Sequence, residues 1–72
     1  MAKFDPTDKY TDRVPWSDED EEFVGLCAEL PSLSWLAPSR GEALDGIVKV
    51  ARRAVKDMAA DGEAVPAPLT DR

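Results

Sequence analysis

Seventy-two residues with nine basic and fifteen acidic side chains, a net charge of −6 and no histidine describe one small domain with little core to spare. A single cysteine excludes an internal disulfide, and the absence of histidine removes the means of completing a zinc site, so further stability is expected from a homo-oligomer or a protein partner. The acidic balance opposes binding to a polyanion and suits a basic partner, while the polar start and the lack of a long apolar run point to a cytoplasmic chain with no membrane span.

Residues 1–9 contain Pro6 and show no periodicity, which predicts a flexible arm ahead of a single domain over 10–69, with 70–72 as a C-terminal tail. Tyr10, Asp12, Val14 and Trp16 share one parity and Thr11, Arg13 and Pro15 the other, the pattern of a first strand with Pro15 at an edge or bulge. "SDEDEE", Ser17 to Glu22, is an acidic turn. The unbroken apolar run from Phe23 to Ala28 then predicts a central strand buried on both faces. Pro31 ends that strand, and "SLSWLA" is a third extended piece with Leu33 and Trp35 on one side and Ser34 and Leu36 on the other. Trp35 is expected in the core, as the anchor where the chain passes from sheet to helix.

Helix chemistry begins at Ser39. Ser39 and Glu42 have the S-x-x-E spacing of a capping box, each side chain meeting the other residue's backbone N–H. Leu44, Ile47, Val48, Ala51, Val55 and Met58 follow as one apolar stripe, and Gly62 is placed to end the helix. Lys49, Arg52, Arg53 and Lys56 occupy the opposite face, toward the end that suits the helix dipole. Pro66 and Pro68 limit the remaining tail to a short edge strand at Ala64 and Val65. The fold class read from these elements is α+β, a small antiparallel three-stranded sheet packed against one long helix in the order β-β-β-α, with the optional fourth strand after it.

Few residues carry chemistry. Asp18, Asp20, Glu22 and Glu29 fall at the first, third, fifth and twelfth positions of a calcium loop, but Phe23 stands where such a loop needs glycine and strands flank it. Two readings of the acidic turn remain: a solvated hairpin, or an electrostatic contact for a basic partner. Cys27 lies in the most apolar strand and reads as a packed thiol. Trp35 is assigned to the core, whereas Trp16 is open between core and interface. The basic helix face offers a nucleic-acid reading, opposed by the net charge and by the lack of interleaved aromatics. Asp12, Glu42 and Asp45 leave a carboxylate convergence on metal ions open, but Glu42 has a capping role and nothing else marks a site. No enzyme, cofactor or metal is expected.

From Trp16 to Leu44, "WSDEDEEFVGLCAELPSLSWLAPSRGEAL" resembles the N-terminal domain of HicB-family antitoxins, from bacterial toxin–antitoxin systems. Asp18 to Glu22 occupies the family's acidic hairpin, and Phe23-Val24-Gly25 its aromatic-Val-Ala strand. Ala28 to Ser32 stands at its P-D-L-P-G segment, Ser39 at the Thr of its G-D-T turn, and Glu42-Ala43-Leu44 at its E-E-A-L. "DGEAVPAP" is similar to its G-x-x-I-P-x-P ending, so the resemblance covers Tyr10 to Leu69. Ser32 in place of Gly and Ala37-Pro38 in place of Gly-Asp depart from the pattern. The resemblance implies a degenerate RNase H-like fold without catalytic residues, which binds and occludes a small basic HicA-type mRNA-cleaving toxin. Trp16, Asp18, Glu19, Asp20, Glu21 and Glu22 are the candidate contacts. No ribbon-helix-helix or helix-turn-helix segment follows, so direct DNA binding is not expected. A stand-alone homo-oligomeric regulatory or ligand-sensing domain, and a nucleic-acid-binding module using the basic helix face, are the alternatives.

Overall fold

The computed structural model describes residues 6–69. Strands β1 (Asp12–Arg13), β2 (Trp16–Ser17), β3 (Glu22–Cys27) and β4 (Ser34–Ala37) form one open antiparallel sheet, and helix α1 (Arg40–Ala60) crosses one of its faces. This is the α+β arrangement that the sequence pattern predicts. Strand β3 is central, pairing with β1 and β2 along one side and with β4 along the other.

The fourth strand does not come from the tail. Asp12 lies opposite Cys27, Arg13 opposite Leu26, Trp16 opposite Phe23 and Ser17 opposite Glu22, so β1 and β2 keep one register and are two pieces of a single line. Pro15 explains the interruption, because it has no N–H to give the ladder. Its carbonyl still accepts from the Val24 N–H at 2.9 Å, and Thr11 accepts from the Ala28 N–H at 2.9 Å. The edge strand anticipated at Ala64 and Val65 is irregular chain instead. It is held by the Tyr10 hydroxyl, which donates to the Pro66 carbonyl at 2.6 Å, and by packing of Val65 on the core.

The register fixes which residues share a face. Asp12, Trp16, Phe23, Gly25, Cys27, Trp35 and Ala37 lie toward α1, and Arg13, Val24, Leu26 and Leu36 lie on the other side. The expectation that β3 is buried on both faces is therefore corrected. Gly25 and Cys27 are buried, but Val24 and Leu26 are only half-buried, since α1 covers one face.

Ser39 caps α1 in extended conformation, and its hydroxyl accepts from the Glu42 N–H at 3.2 Å. The Glu42 carboxylate closes the box differently from the expectation, accepting from the Ser39 hydroxyl at 2.9 Å rather than from its backbone. At the far end Gly62 takes φ +74°. There Glu63 N–H donates to Met58 at 2.8 Å and Gly62 N–H to Ala59 at 3.2 Å, the paired bonds of a Schellman ending.

Two glycines set how α1 seats on the sheet. A Cβ on Gly25 would lie 2.5 Å from the Ala43 carbonyl oxygen and 2.8 Å from Ile47 Cβ, so strand and helix backbones meet there as only glycine allows. The buried stripe is consequently Ala43, Ile47, Ala51 and Val55. Leu44, expected to open it, is exposed, turned about 100° around the axis from Ala43. Gly46 receives the Trp35 indole, which a Cβ at that position would overlap. Trp35 thus marks the crossing from sheet to helix as expected, but it is 45% exposed rather than buried. The reason is its place on β4, beyond which the described residues supply no further strand.

Of the predicted arm, residues 6–9 form a 3-10 turn, Pro6–Lys9, docked on the helix. Thr7 is buried, and Asp8 accepts from Arg52 at 2.9 Å. Residues 1–5 and the predicted 70–72 tail lie outside the described residues. Within those residues no helix is long and apolar enough to cross a membrane.

Candidate partner-binding surface

Asp18 to Glu21 form the loop joining β2 to β3, and Ser17 opposite Glu22 closes the hairpin. Local bonds shape the loop. Trp16 Nε1 donates to Asp18 Oδ1 at 2.7 Å. Ser17 Oγ donates to Asp20 Oδ2 at 3.0 Å and accepts from the Asp20 N–H at 3.2 Å. Glu21 completes the turn at φ 53°, a left-handed conformation that costs a side-chain-bearing residue about 1 kcal/mol or more.

Trp16 is 51% exposed and meets the Phe23 ring edge to face, with centroids 5.0 Å apart. The Arg40 guanidinium lies 5.7 Å from the Phe23 centroid. The structure therefore brings all six sequence-assigned residues, Trp16, Asp18, Glu19, Asp20, Glu21 and Glu22, to one end of the sheet. Among the described residues no lysine or arginine pairs with any of these five carboxylates. The result is an exposed indole beside a concentrated negative loop.

Glu29 and Asp12 do not join this surface. Glu29, the twelfth position of the calcium spacing, is buried beyond the opposite end of β3. Its Oε1 accepts from the Thr11 N–H at 2.8 Å and its Oε2 from the Leu69 N–H at 3.0 Å. Asp12 sits near it opposite Cys27, whereas Glu42 and Asp45 line a groove with Ala37 and Pro38 at the other end. The three carboxylates weighed for catalysis are thus divided between the two ends of the sheet.

Cys27 is 2% exposed, and its thiol lies 3.8 Å from Glu29 Oε1 as donor. Burial pushes its pKa up, against hydrogen bonds from the Glu29 and Leu30 amides. It is a packed thiol within the core cluster of Tyr10, Leu30, Ile47, Ala51 and Val55. The basic helix face is partly neutralised. Arg52 is paired with Asp8, and Arg53 stands 4.0 Å from Asp57 in an exposed i,i+4 pair.

Glu29 is the polar residue whose structural role the sequence reading missed. No parity signal marks it, because β3 ends at Cys27 and Glu29 lies in the turn that the Leu30 N–H closes on the Cys27 carbonyl at 3.1 Å.

Comparison of the chain with models of known protein families, with curated proteins and with solved structures finds no match in any of the three.

Proposed function

We propose that this chain is a HicB-like antitoxin domain, a non-catalytic protein that binds and occludes a small basic HicA-type mRNA-cleaving toxin in the cytoplasm. The observation that carries the reading is the hairpin from Trp16 to Glu22, where five carboxylates with no cationic partner among the described residues follow the exposed Trp16. A basic RNA-binding surface is a fitting recipient: its cations would meet the loop, and the indole supplies the apolar anchor that interface centres favour. The mechanism is steric and electrostatic occlusion of the surface on which the toxin holds RNA. The order of segments from Tyr10 to Leu69 supports the same family reading.

The basic helix face supports a nucleic-acid function less well. Arg52 and Arg53 have acidic neighbours, and the molecule as a whole repels phosphate.

The test is affinity purification from the native host, followed by an RNA-cleavage assay with the small basic protein recovered. Stoichiometric capture, and protection of RNA that is lost with Trp16→Ala, are the expected results. Recovery of the chain without such a partner, or a captured partner that cleaves no RNA, overturns the reading.

A further inference from the structure

The two long edges of the sheet are not alike. The β1–β2 edge is interrupted at Pro15 and carries Arg13, both devices that discourage another strand from pairing. The β4 edge, Ser34–Ala37, has no charged residue and no proline within it, and its Trp35 and Leu36 are each 45% exposed. An edge of this kind is a ready template for a further strand. Beside it an open groove of about 410 Å³ runs between β4 and α1, with Val50 in its wall and Glu42, Asp45 and Lys49 also lining it.

We propose that a second copy of this chain docks on this edge, β4 pairing antiparallel with its own counterpart about a two-fold axis, to give one continuous sheet with both helices on the same face. Geometry selects this occupant. The Ala43–Ile47 turn of α1 sits over the Gly25–Trp35 pair, touching Gly25 from one side and Trp35 from the other, so at this level α1 lies above the seam between β3 and β4. Strands repeat every ~4.8 Å, which puts that seam one strand spacing from an axis running just outside β4. The two-fold then sets the helices about 10 Å apart, within reach of the roughly 8–10 Å at which helices pack.

Charge agrees with the geometry. Lys49 lies about one turn to one side of Gly46, and Glu42 lies about one turn to the other. A two-fold near Gly46 runs the helices antiparallel and turns Lys49 of each copy toward Glu42 and Asp45 of the other. On the open face it joins the Val24 and Leu36 of each copy into one apolar strip, while Trp35 meets its counterpart beside the helices. The acidic loops, at the Ala37 end of each sheet, are carried to opposite ends of the pair, so their repulsion is least there and both stay free.

The experiment is sedimentation of the 72-residue chain across concentration, with circular dichroism to confirm folding of each variant. The expected mass is twice 7.9 kDa at tens of micromolar. Leu36→Lys, at an exposed position on the edge, raises the dimer Kd about ten-fold or more, and Lys49→Glu raises it by a smaller factor. Lys49→Glu and Asp45→Lys chains, each weak alone, recover dimers on mixing. A chain that remains monomeric near millimolar concentration overturns the proposal, as does a dimer indifferent to both Leu36→Lys and Lys49→Glu. Loss of a captured basic partner by Leu36→Lys, with no change in self-association, also overturns it, by assigning the edge to that partner. The sedimentation outcomes do not depend on whether the acidic loop binds a toxin.

Discussion

Glu29 shows how one side chain can close a small fold. It takes the N–H of Thr11, just before β1, and the N–H of Leu69, so a single carboxylate ties the start of the sheet to the end of the described chain. Burial works to raise its pKa, but the Leu69 and Thr11 amides, its own amide and the Cys27 thiol outweigh that and hold it below the ordinary 4.5. Asp12 moves the other way: burial raises its pKa above the ordinary 3.8, a bond with Cys27 opposes, and the Glu29 charge adds to the rise. Its Oδ1 is buried with no hydrogen-bond partner. The signs follow from linkage. A depressed folded-state pKa gives Glu29 a contribution fully present above about 4.5 and lost as the pH falls through the lower folded value. The raised value makes ionised Asp12 a penalty that is absent below about 3.8 and complete above its folded pKa. Glu29→Gln also turns an amide N–H toward a backbone N–H. It should cost roughly 1–3 kcal/mol near neutrality, as for lost bonds to a charged group, with the deficit shrinking in acid. Asp12→Asn should equal or exceed the parent near neutrality and lose that advantage in acid. Urea unfolding of the three proteins from about pH 7 down to pH 3 checks both; a Glu29→Gln deficit that persists unchanged in acid would show that shape, not charge, carries the clamp.

At the scale of elements, the seating of α1 depends on two glycines whose substitution should fail differently. A Cβ on Gly25 meets the backbone oxygen of Ala43, which cannot move without the helix. Gly25→Ala should therefore lift α1 and cost about 1–3 kcal/mol, the range for overpacking a close contact. The nearest atoms to a Cβ on Gly46 belong to the Trp35 side chain, whose outer flank is open, so Gly46→Ala should mainly turn the indole outward. Denaturant midpoints and tryptophan emission separate the two: a large loss of stability for Gly25→Ala, and a red shift with a smaller loss for Gly46→Ala. Equal losses would mean that Trp35 is held as firmly as the backbone. These contacts also explain what was legible in the sequence. The ends of α1 could be read because Ser39, Glu42 and Gly62 act through local chemistry within a few residues. The hairpin could be read because alternation and the acidic turn are local as well. The splitting of the first strand followed from Pro15, whose mark is equally local, although its retained register was not. Exposure was the part that remained hidden. Trp35, Leu36 and Leu44 are apolar and correctly spaced, yet each is about 45% exposed, because burial depends on what lies beyond an edge strand or a helix flank. Those neighbours are set by topology, and two glycines that carry no hydrophobic signal decided which turn of the helix touches the sheet.

Charge is unevenly spread over the molecule: the hairpin from Asp18 to Glu22 holds five carboxylates with no cationic partner among the described residues, while Arg52 and Arg53 of α1 stand exposed beside Asp8 and Asp57. Such an arrangement gives a charged partner a preferred direction of approach before any contact forms. It also permits a division of labour within the candidate surface, with Trp16 supplying a short-range anchor and the carboxylates supplying steering. Glu19, Glu21 and Glu22 are suitable probes, since Asp18 and Asp20 are bonded to Trp16 and Ser17 and shape the loop itself. Changing those three to Gln should slow association with a basic partner about ten-fold at low ionic strength, with dissociation nearly unaltered. At 1 M salt, where charges are screened within about 3 Å, the association rates of parent and variant should converge. Trp16→Ala should show the opposite signature, faster dissociation at every salt concentration and little change in association. Stopped-flow binding across a salt series distinguishes these. A triple-Gln variant that dissociates faster even at high salt would place the carboxylates inside the interface as desolvated contacts, with the indole and the acidic loop acting as one site rather than as anchor and guide.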